Sequence, residues 1–371
     1  MIPAHDGPID VSILVNTFEK PRHLALVLES IALQRTDRRL EVIVADDGST
    51  DGTAAVVAAF AGHAAFPVRF TSQPHDGFRL ARTRNAAARL ARGDYLMFLD
   101  GDCLLPPHHV AAHVDRRRLG TALLGYCARL SRTASDLLVP ENLAHGDLAA
   151  LVPLAEHRAL ARRHRKAWWH AALRHPTKPR LAGGDCGVWR HDFVRVNGFD
   201  ERFVGWGQED DDLGLRLRAA GVRLESILDR TCSLHVWHPT DPTAARRWRD
   251  GPNVAYFARR GRLTACRHGL VTRPAARLRW GLPADLVATG LGRAAARLLA
   301  GCDRAAATEP CEVELVVRPG AGTFSRDAEC RLLLIADAAR AEAGVRRRAD
   351  RVACIAAGDD AALAAVLAEV G

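Results

Sequence analysis

The chain has 371 residues, 48% of them hydrophobic, enough for one large domain plus a smaller one, each with its own core. No apolar run reaches bilayer length and the N-terminal "MIPAHDGPIDVSILV" has neither a basic start nor a small-residue cleavage site. The nine cysteines are scattered without paired spacing, so reduced thiols in a cytoplasmic protein are expected, and with no CxxC a structural zinc site is not expected.

The formal charge of +9 points to acidic partners, but lysine appears only at Lys20, Lys166 and Lys178. An arginine- and alanine-rich bias of this kind also follows genome base composition, so nucleic acid is not expected as a partner. In chain order, "VSILVNTF" (11–18) reads as a buried strand, and "RHLALVLESIALQ" as a helix started by Pro21. "LEVIVADDGSTDGT" is a second strand running into turn and cap residues. A helix over Ala54–Ala61, a strand "PVRFTSQ", a helix "RLARTRNAAARLARG" and a strand "DYLMFLD" follow. Alternating strands and helices predict a parallel α/β sheet, whose ligands bind at the carboxyl ends of the strands. Asp46, Asp47, Asp100 and Asp102 all fall at such ends.

From 111 to 180 the pattern loosens, with a strand candidate at "TALLGYC" and a basic helix "LARRHRKAWWHAALRH". Beyond about Arg259 the chain is Ala/Arg-rich, with strand-like "CEVELVVRP", "CRLLLIAD" and "RVACIAAG" between helical runs. Three parts are expected: residues 1–110 and 111–258 as two halves of one domain, and 259–371 as an appendage of unread function.

The acidic stretches carry the chemistry. In "LDGD", Asp100 and Asp102 flank a glycine, an arrangement that suits Mg²⁺ or Mn²⁺ bound by carboxylates and substrate phosphates. A polar turn explains the same residues. A turn and helix cap explain Ser49 and Thr50 in "ADDGST", but an acid such as Asp46 at the end of a buried strand needs a partner. "GFRLARTRN" supplies Arg79, Arg82, Arg84 and Asn85; some are solvated helix residues, and one or two suit a diphosphate.

Four segments, "VSILVNTFEKP", "EVIVADDGSTDGT", "GFRLARTRNAAARLARGDYLMFLDGD" and "GWGQEDDD", occur in this order and spacing. Over roughly residues 9–258 the chain resembles a family 2 glycosyltransferase of the GT-A fold. Its later part is similar to the galactosyltransferase-type module of chondroitin-polymerase-like and β-1,4-galactosyltransferase-like enzymes. The resemblance implies an α/β, Rossmann-like, mostly parallel sheet flanked by helices, with a small C-terminal α/β or helical appendage. It implies an inverting, metal-dependent transfer from a nucleotide-diphosphate sugar, UDP-linked by expectation, with Mn²⁺ or Mg²⁺ as cofactor. Thr17, Glu19 and Asp46 or Asp47 match positions that hold the nucleoside; Arg79, Arg82 and Asn85 match the stretch beside the nucleotide. Asp100 and Asp102 match the metal acids, Asp102 being the better candidate for direct ligation.

Gly183, Gly184 and Asp185 lie where similar enzymes read "GGN" near the donor sugar, and the aspartate departs from that pattern. Trp206 and Gly207 match an acceptor loop, Asp210 the general base, and Glu209 an acceptor-binding residue. A cluster of acids at a helix start and a core tryptophan are the plainer readings of "GWGQEDDD". His235, with His238 as runner-up, matches a histidine that completes the metal site; a histidine in an apolar run is also an ordinary core residue.

The acceptor implied is a glycan, lipid-linked or small-molecule hydroxyl, in polysaccharide, lipooligosaccharide or other glycoconjugate synthesis. Trp168 and Trp169 among cations suit peripheral contact with the inner face of a membrane. Two other readings remain. A sugar nucleotidyltransferase would carry a glycine- and basic-rich triphosphate loop, which "LVNTFEKPRHL" lacks. A non-catalytic basic protein binding membrane or nucleic acid would use "RRHRKAWWH" and the arginine-rich tail.

Overall fold

The structure, a computed structural model, describes residues 8–144, 148–240, 244–306, 309–317, 324, 327–336, 348–356 and 358–370. The first seven residues, read above for a leader, lie outside this set. Two compact units result, one up to Val254 and one from Ala255 onward.

In the first unit the sequence alternates as expected. Strand β1 (Val11–Thr17) leads to α1 (Pro21–Ala32), β2 (Leu40–Asp46), α2 (Thr53–Ala61), β3 (Val68–Ser72), α3 (Leu80–Leu90) and β4 (Tyr95–Asp100). Continuous apolar runs in β1, β2 and β4 are buried on both faces, as parallel strands under helices must be. Pro21 opens α1, and Leu24, Val27, Leu28 and Ile31 form its buried stripe.

The chain continues through β5 (Cys103–Leu104), α4 (His109–Arg116), β6 (Thr121–Leu124), β7 (Cys127–Arg129), α5 (Arg132–Asp136) and α6 (Leu154–Ala172). Then come β8 (Asp185–Trp189), α7 (Arg190–Arg195), α8 (Glu209–Ala219), β9 (Arg223–Ser226) and β10 (Ser233–His235). The main sheet has strand order β3-β2-β1-β4-β8-β6-β9. Its first four strands are mutually parallel, while β8 runs antiparallel to both neighbours. Register places Thr17 beside Asp46 and Asn16 beside Asp100, so the acidic strand ends form one edge. A small sheet, β5-β10-β7, holds β10 antiparallel to the segment that follows the DGD turn.

The second unit is a five-stranded, all-parallel sheet. It runs β11 (Arg279–Gly281), β12 (Asp303–Arg304), β13 (Cys311–Val316), β14 (Ala328–Ile335) and β15 (Arg351–Cys354), in the order β12-β11-β13-β14-β15. Helices α9 (Gly290–Leu298) and α10 (Asp360–Ala368) accompany it, and Trp280, Leu332 and Leu334 lie in its core. It is the α/β form of the expected appendage. Among the described residues, no helix is long and apolar enough to cross a membrane.

Candidate active site

Arg84 is the hub of the site. On α3 it lies in the buried stripe Ala81, Arg84, Asn85, Ala88, and only 2% of its side chain is exposed. Its Nη2 donates to Asp100 Oδ1 at 2.9 Å, its Nη1 to Asp210 Oδ1 at 2.7 Å and its Nε to Asn16 Oδ1 at 3.2 Å. Glu209 Oε1 lies 3.7 Å from Nη1. Acids from the DGD turn and from the "GWGQEDDD" segment therefore face one cation. Burial works against the Arg84 charge, but Asp210, Asp100 and Glu209 outweigh it and hold its pKa above the usual value.

The acids are raised as well, here because burial disfavours their charged form. Burial, helped by the neighbouring Asp210, pushes Glu209 up to about 8. Burial also raises Asp210, with Arg84 and the Gly183 N–H partly offsetting it. Asp210 and Glu209 open α8, where the helix N-terminus favours negative charge. Gln208, in the left-handed region at φ 76°, turns the chain into that helix.

Two glycines make room for this constellation. A Cβ on Gly183 would lie 2.2 Å from Asp210 Oδ1 and 2.4 Å from Arg84 Nη1; one on Gly184 would lie 2.2 Å from Asp100 Oδ2. The Gly183 N–H instead donates to Asp210 Oδ2 at 2.9 Å. Only a bare backbone fits between the acids.

The two acids of DGD part company. Asp100 turns to Arg84, whereas Asp102 joins His235 and His238, whose potential ligand atoms lie within 4.8 Å of one another. His238 Nε2 is 3.2 Å from Asp102 Oδ2 and His235 Nε2 is 3.7 Å from Oδ1, so both histidines meet the acid. Lys20 Nζ sits 2.9 Å from Asp102 Oδ2 and 3.0 Å from His238 Nε2. Burial would raise Asp102, but the His238 hydrogen bond and the Lys20 charge hold it far below the ordinary carboxylate range. His238 is raised by its bond to Asp102, and His235 is lowered by burial.

At the other strand ends the expected nucleoside residues sort into turn-builders and open groups. Asp46 is consumed by its own turn: it accepts from Gly48 N, Ser49 N, Ser49 Oγ and Ser72 Oγ. This is the partner its burial required. Asp47 accepts from Gln73 Nε2 and from Arg79 N, and the Arg79 side chain turns outward to Asp76. Glu19 Oε1 accepts from Thr50 Oγ1, and Thr17 Oγ1 is buried with no hydrogen-bond partner among the described residues. Phe18 stacks on His75 with centroids 4.3 Å apart. Arg82 lies exposed on α3.

Two expected positions turn away from the cleft. Asn85 is fully buried and spends its amide on Phe199 O, Phe199 N and Glu201 Oε1, tying α3 to the loop before α8. Asp185 leaves β8 on the opposite face from Gly184 and is buried against His109 and Ser233 N. Period-two alternation is the reason: if Gly184 faces Asp100, its neighbour cannot. Trp206 is 38% exposed and meets Trp248 edge-on at 5.8 Å, while Gly207 at φ 99° passes against the Trp248 ring. Lys20 was not anticipated, although it is one of only three lysines. Arg84 stood unresolved among three arginines; its place four residues before Ala88 and three after Ala81 was the available signal.

Residues 12–129 match the family model for glycosyl transferase family 2, and residues 169–238 match that for the N-terminal domain of galactosyltransferase. Residues 12–129 thus form a family 2 glycosyltransferase domain. Among relatives of this glycosyltransferase, validoxylamine A glucosyltransferase of Streptomyces hygroscopicus subsp. limoneus is 32% identical over 234 residues, 57% of this chain and 48% of the relative. Chondroitin synthase of Escherichia coli is 26% identical over 230 residues, covering 58% and 33%. The chain thus spans half or less of the length of these curated relatives. Among solved structures, the mannosyltransferase PcManGT of Pyrobaculum calidifontis, in complex with GDP-Man and Mn²⁺, aligns at TM-score 0.45 and 20% identity over 66% of this chain and 63% of that one.

Proposed function

We propose that this glycosyltransferase moves a sugar from a UDP-linked donor to an acceptor hydroxyl with inversion at the anomeric carbon. The observation that carries the reading is Arg84, which binds Asp100 and Asp210 from segments 110 residues apart in the sequence and so brings both acidic motifs to one guanidinium. Asp210 is the base: its carboxylate takes the acceptor proton as the hydroxyl oxygen attacks the anomeric carbon, and the bond to the diphosphate oxygen breaks with its electron pair. Burial keeps Asp210 more basic than an ordinary aspartate, as the task requires. Arg84 orients Asp210, and Gly183 pins its second oxygen. One displacement by one base needs no covalent nucleophile.

Asp102, His235 and His238 fit a divalent ion, Mn²⁺ or Mg²⁺. They converge, they combine oxygen with imidazole nitrogen, and the Lys20 ammonium already stands among them as a cation. Such an ion would supply positive charge to the departing diphosphate. Thr17, Glu19 and Asp47, at the neighbouring strand ends, are assigned to the nucleoside, and Trp206 with Gly207 and Glu209 to the acceptor. Relatives named as a glucosyltransferase and a chondroitin synthase support a glycan or small-molecule acceptor and speak against a nucleotidyltransferase or a purely binding protein.

Asp210→Asn tests the base. Turnover of UDP-sugar with acceptor should fall by at least about 10²-fold, while UDP and Mn²⁺ binding by calorimetry persist. Asp102→Ala should instead weaken Mn²⁺-dependent UDP binding. Near-normal turnover in Asp210→Asn would remove the assignment.

A further inference from the structure

Behind the sheet, on the face away from the cleft, lies a second cluster that the transfer reaction does not use. Helix α4 presents His109 and His113, one turn apart on the same face, to the first residue of β8, Asp185. The two histidines are fully buried and Asp185 is nearly so. We propose that His109 Nε2, His113 Nε2 and Asp185 Oδ1 form a structural Zn²⁺ site.

The donor geometry matches the ion. His109 Nε2 is 3.2 Å and His113 Nε2 3.8 Å from Asp185 Oδ1, and all three atoms lie within 4.8 Å of one another. Bonds of about 2.0–2.1 Å in a tetrahedral arrangement put neighbouring ligand atoms about 3.3 Å apart. Two imidazoles and a carboxylate are ligands that zinc accepts. The lack of a CxxC pair, which argued against structural zinc, bears only on thiolate sites.

The surroundings are those of a metal site. Each histidine holds its other nitrogen on a hydroxyl: His109 Nδ1 is 2.8 Å from Thr231 Oγ1, and His113 Nδ1 is 3.4 Å from Tyr95 Oη. Asp185 Oδ2 accepts from Ser233 N at 3.1 Å. These outer partners orient both Nε2 lone pairs and one carboxylate oxygen toward a common point, which is how ligating histidines are usually supported. Gly187 keeps the space open, since a Cβ there would lie 2.1 Å from Tyr95 Oη and 2.8 Å from His113 Nδ1.

A purely hydrogen-bonded cluster accounts for the same atoms less well. It satisfies His109 but leaves His113 Nε2 buried with no hydrogen-bond partner among the described residues. If that nitrogen carries the proton, its acceptor is 3.8 Å away, beyond hydrogen-bond reach. If it carries the lone pair, it faces a carboxylate oxygen. A cation removes both difficulties, with both Nδ1–H groups donating to the hydroxyls. The ion would clamp α4 and the Thr231–Ser233 segment to β8, next to Gly184 in the cleft wall.

The test is metal content of the full chain grown with added zinc, dialysed against EDTA and measured by mass spectrometry of the elements. About one equivalent should remain in the wild type and in the His235→Ala, His238→Ala double variant, because His109, His113 and Asp185 are buried away from the chelator, with the fourth coordination position left to a water. It should be lost from His113→Gln and from Asp185→Asn, with Co²⁺-loaded wild type showing visible bands that His113→Gln lacks. A folded wild type holding less than about a tenth of an equivalent would overturn the site. So would zinc that is lost from the double variant but retained by His113→Gln. The wild-type measurement decides even if a variant fails to fold.

Discussion

Replacing Arg84 by methionine keeps a long side chain and deletes the charge. Asp100, Glu209 and Asp210 would then face each other around an uncharged stem, and the hydrogen bonds at 2.7, 2.9 and 3.2 Å would go. Breaking a buried ion pair from one side costs about 3–5 kcal/mol. Asp100 and Asp210 keep 34% and 25% of their side chains in solvent, which screens part of that repulsion, so about 3 kcal/mol is expected. That is roughly two orders of magnitude in the folding equilibrium.

Urea unfolding followed by tryptophan fluorescence reads the right unit, because every tryptophan except Trp280 precedes Val254. The sign with pH is specific. Without the guanidinium Glu209 and Asp210 protonate more readily, so the deficit against wild type should shrink as pH falls through the range where these two take up protons. Sugar transfer should be lost at all pH values. A variant within about 0.5 kcal/mol of wild type at neutral pH, or a deficit that does not change on acidification, would refute the placement of Arg84 between the acids.

Further outcomes follow from the same cleft. Because burial raises Asp210 and Glu209, and the base must be ionised, kcat/KM should fall on acidification well above the ordinary carboxylate range; a rate flat down to about pH 5 would contradict this. Gly184→Ala should push Asp100 off Arg84 and lower turnover by at least about tenfold, read beside a thermal melt that reports whether the fold survives. Lys20→Met should tighten Mn²⁺ binding without nucleotide by about tenfold or more, since a unit charge within 4 Å of the ligands disappears; titration followed by electron paramagnetic resonance measures it.

Much of this was legible in the chain itself. Apolar runs located β1, β2 and β4, and the acids that end β2 and β4 put Asp46 and Asp100 on one edge, because parallel strands share a direction and their ends must line up. Period 3.6 identified α1, and the same period on α3 contained Arg84 in its buried stripe. Tertiary structure alone decided what those buried faces meet. Antiparallel β8 enters between β4 and β6 from a segment about 85 residues later than β4, bringing Gly183 and Gly184 to the acids and turning Asp185 to the far side. Local patterns specify only that alternate residues face opposite ways. Which face looks toward the acids depends on the register of strands distant in sequence, and for that reason Asn85 and Asp185 turned away from the site while Lys20 and Arg84 entered it.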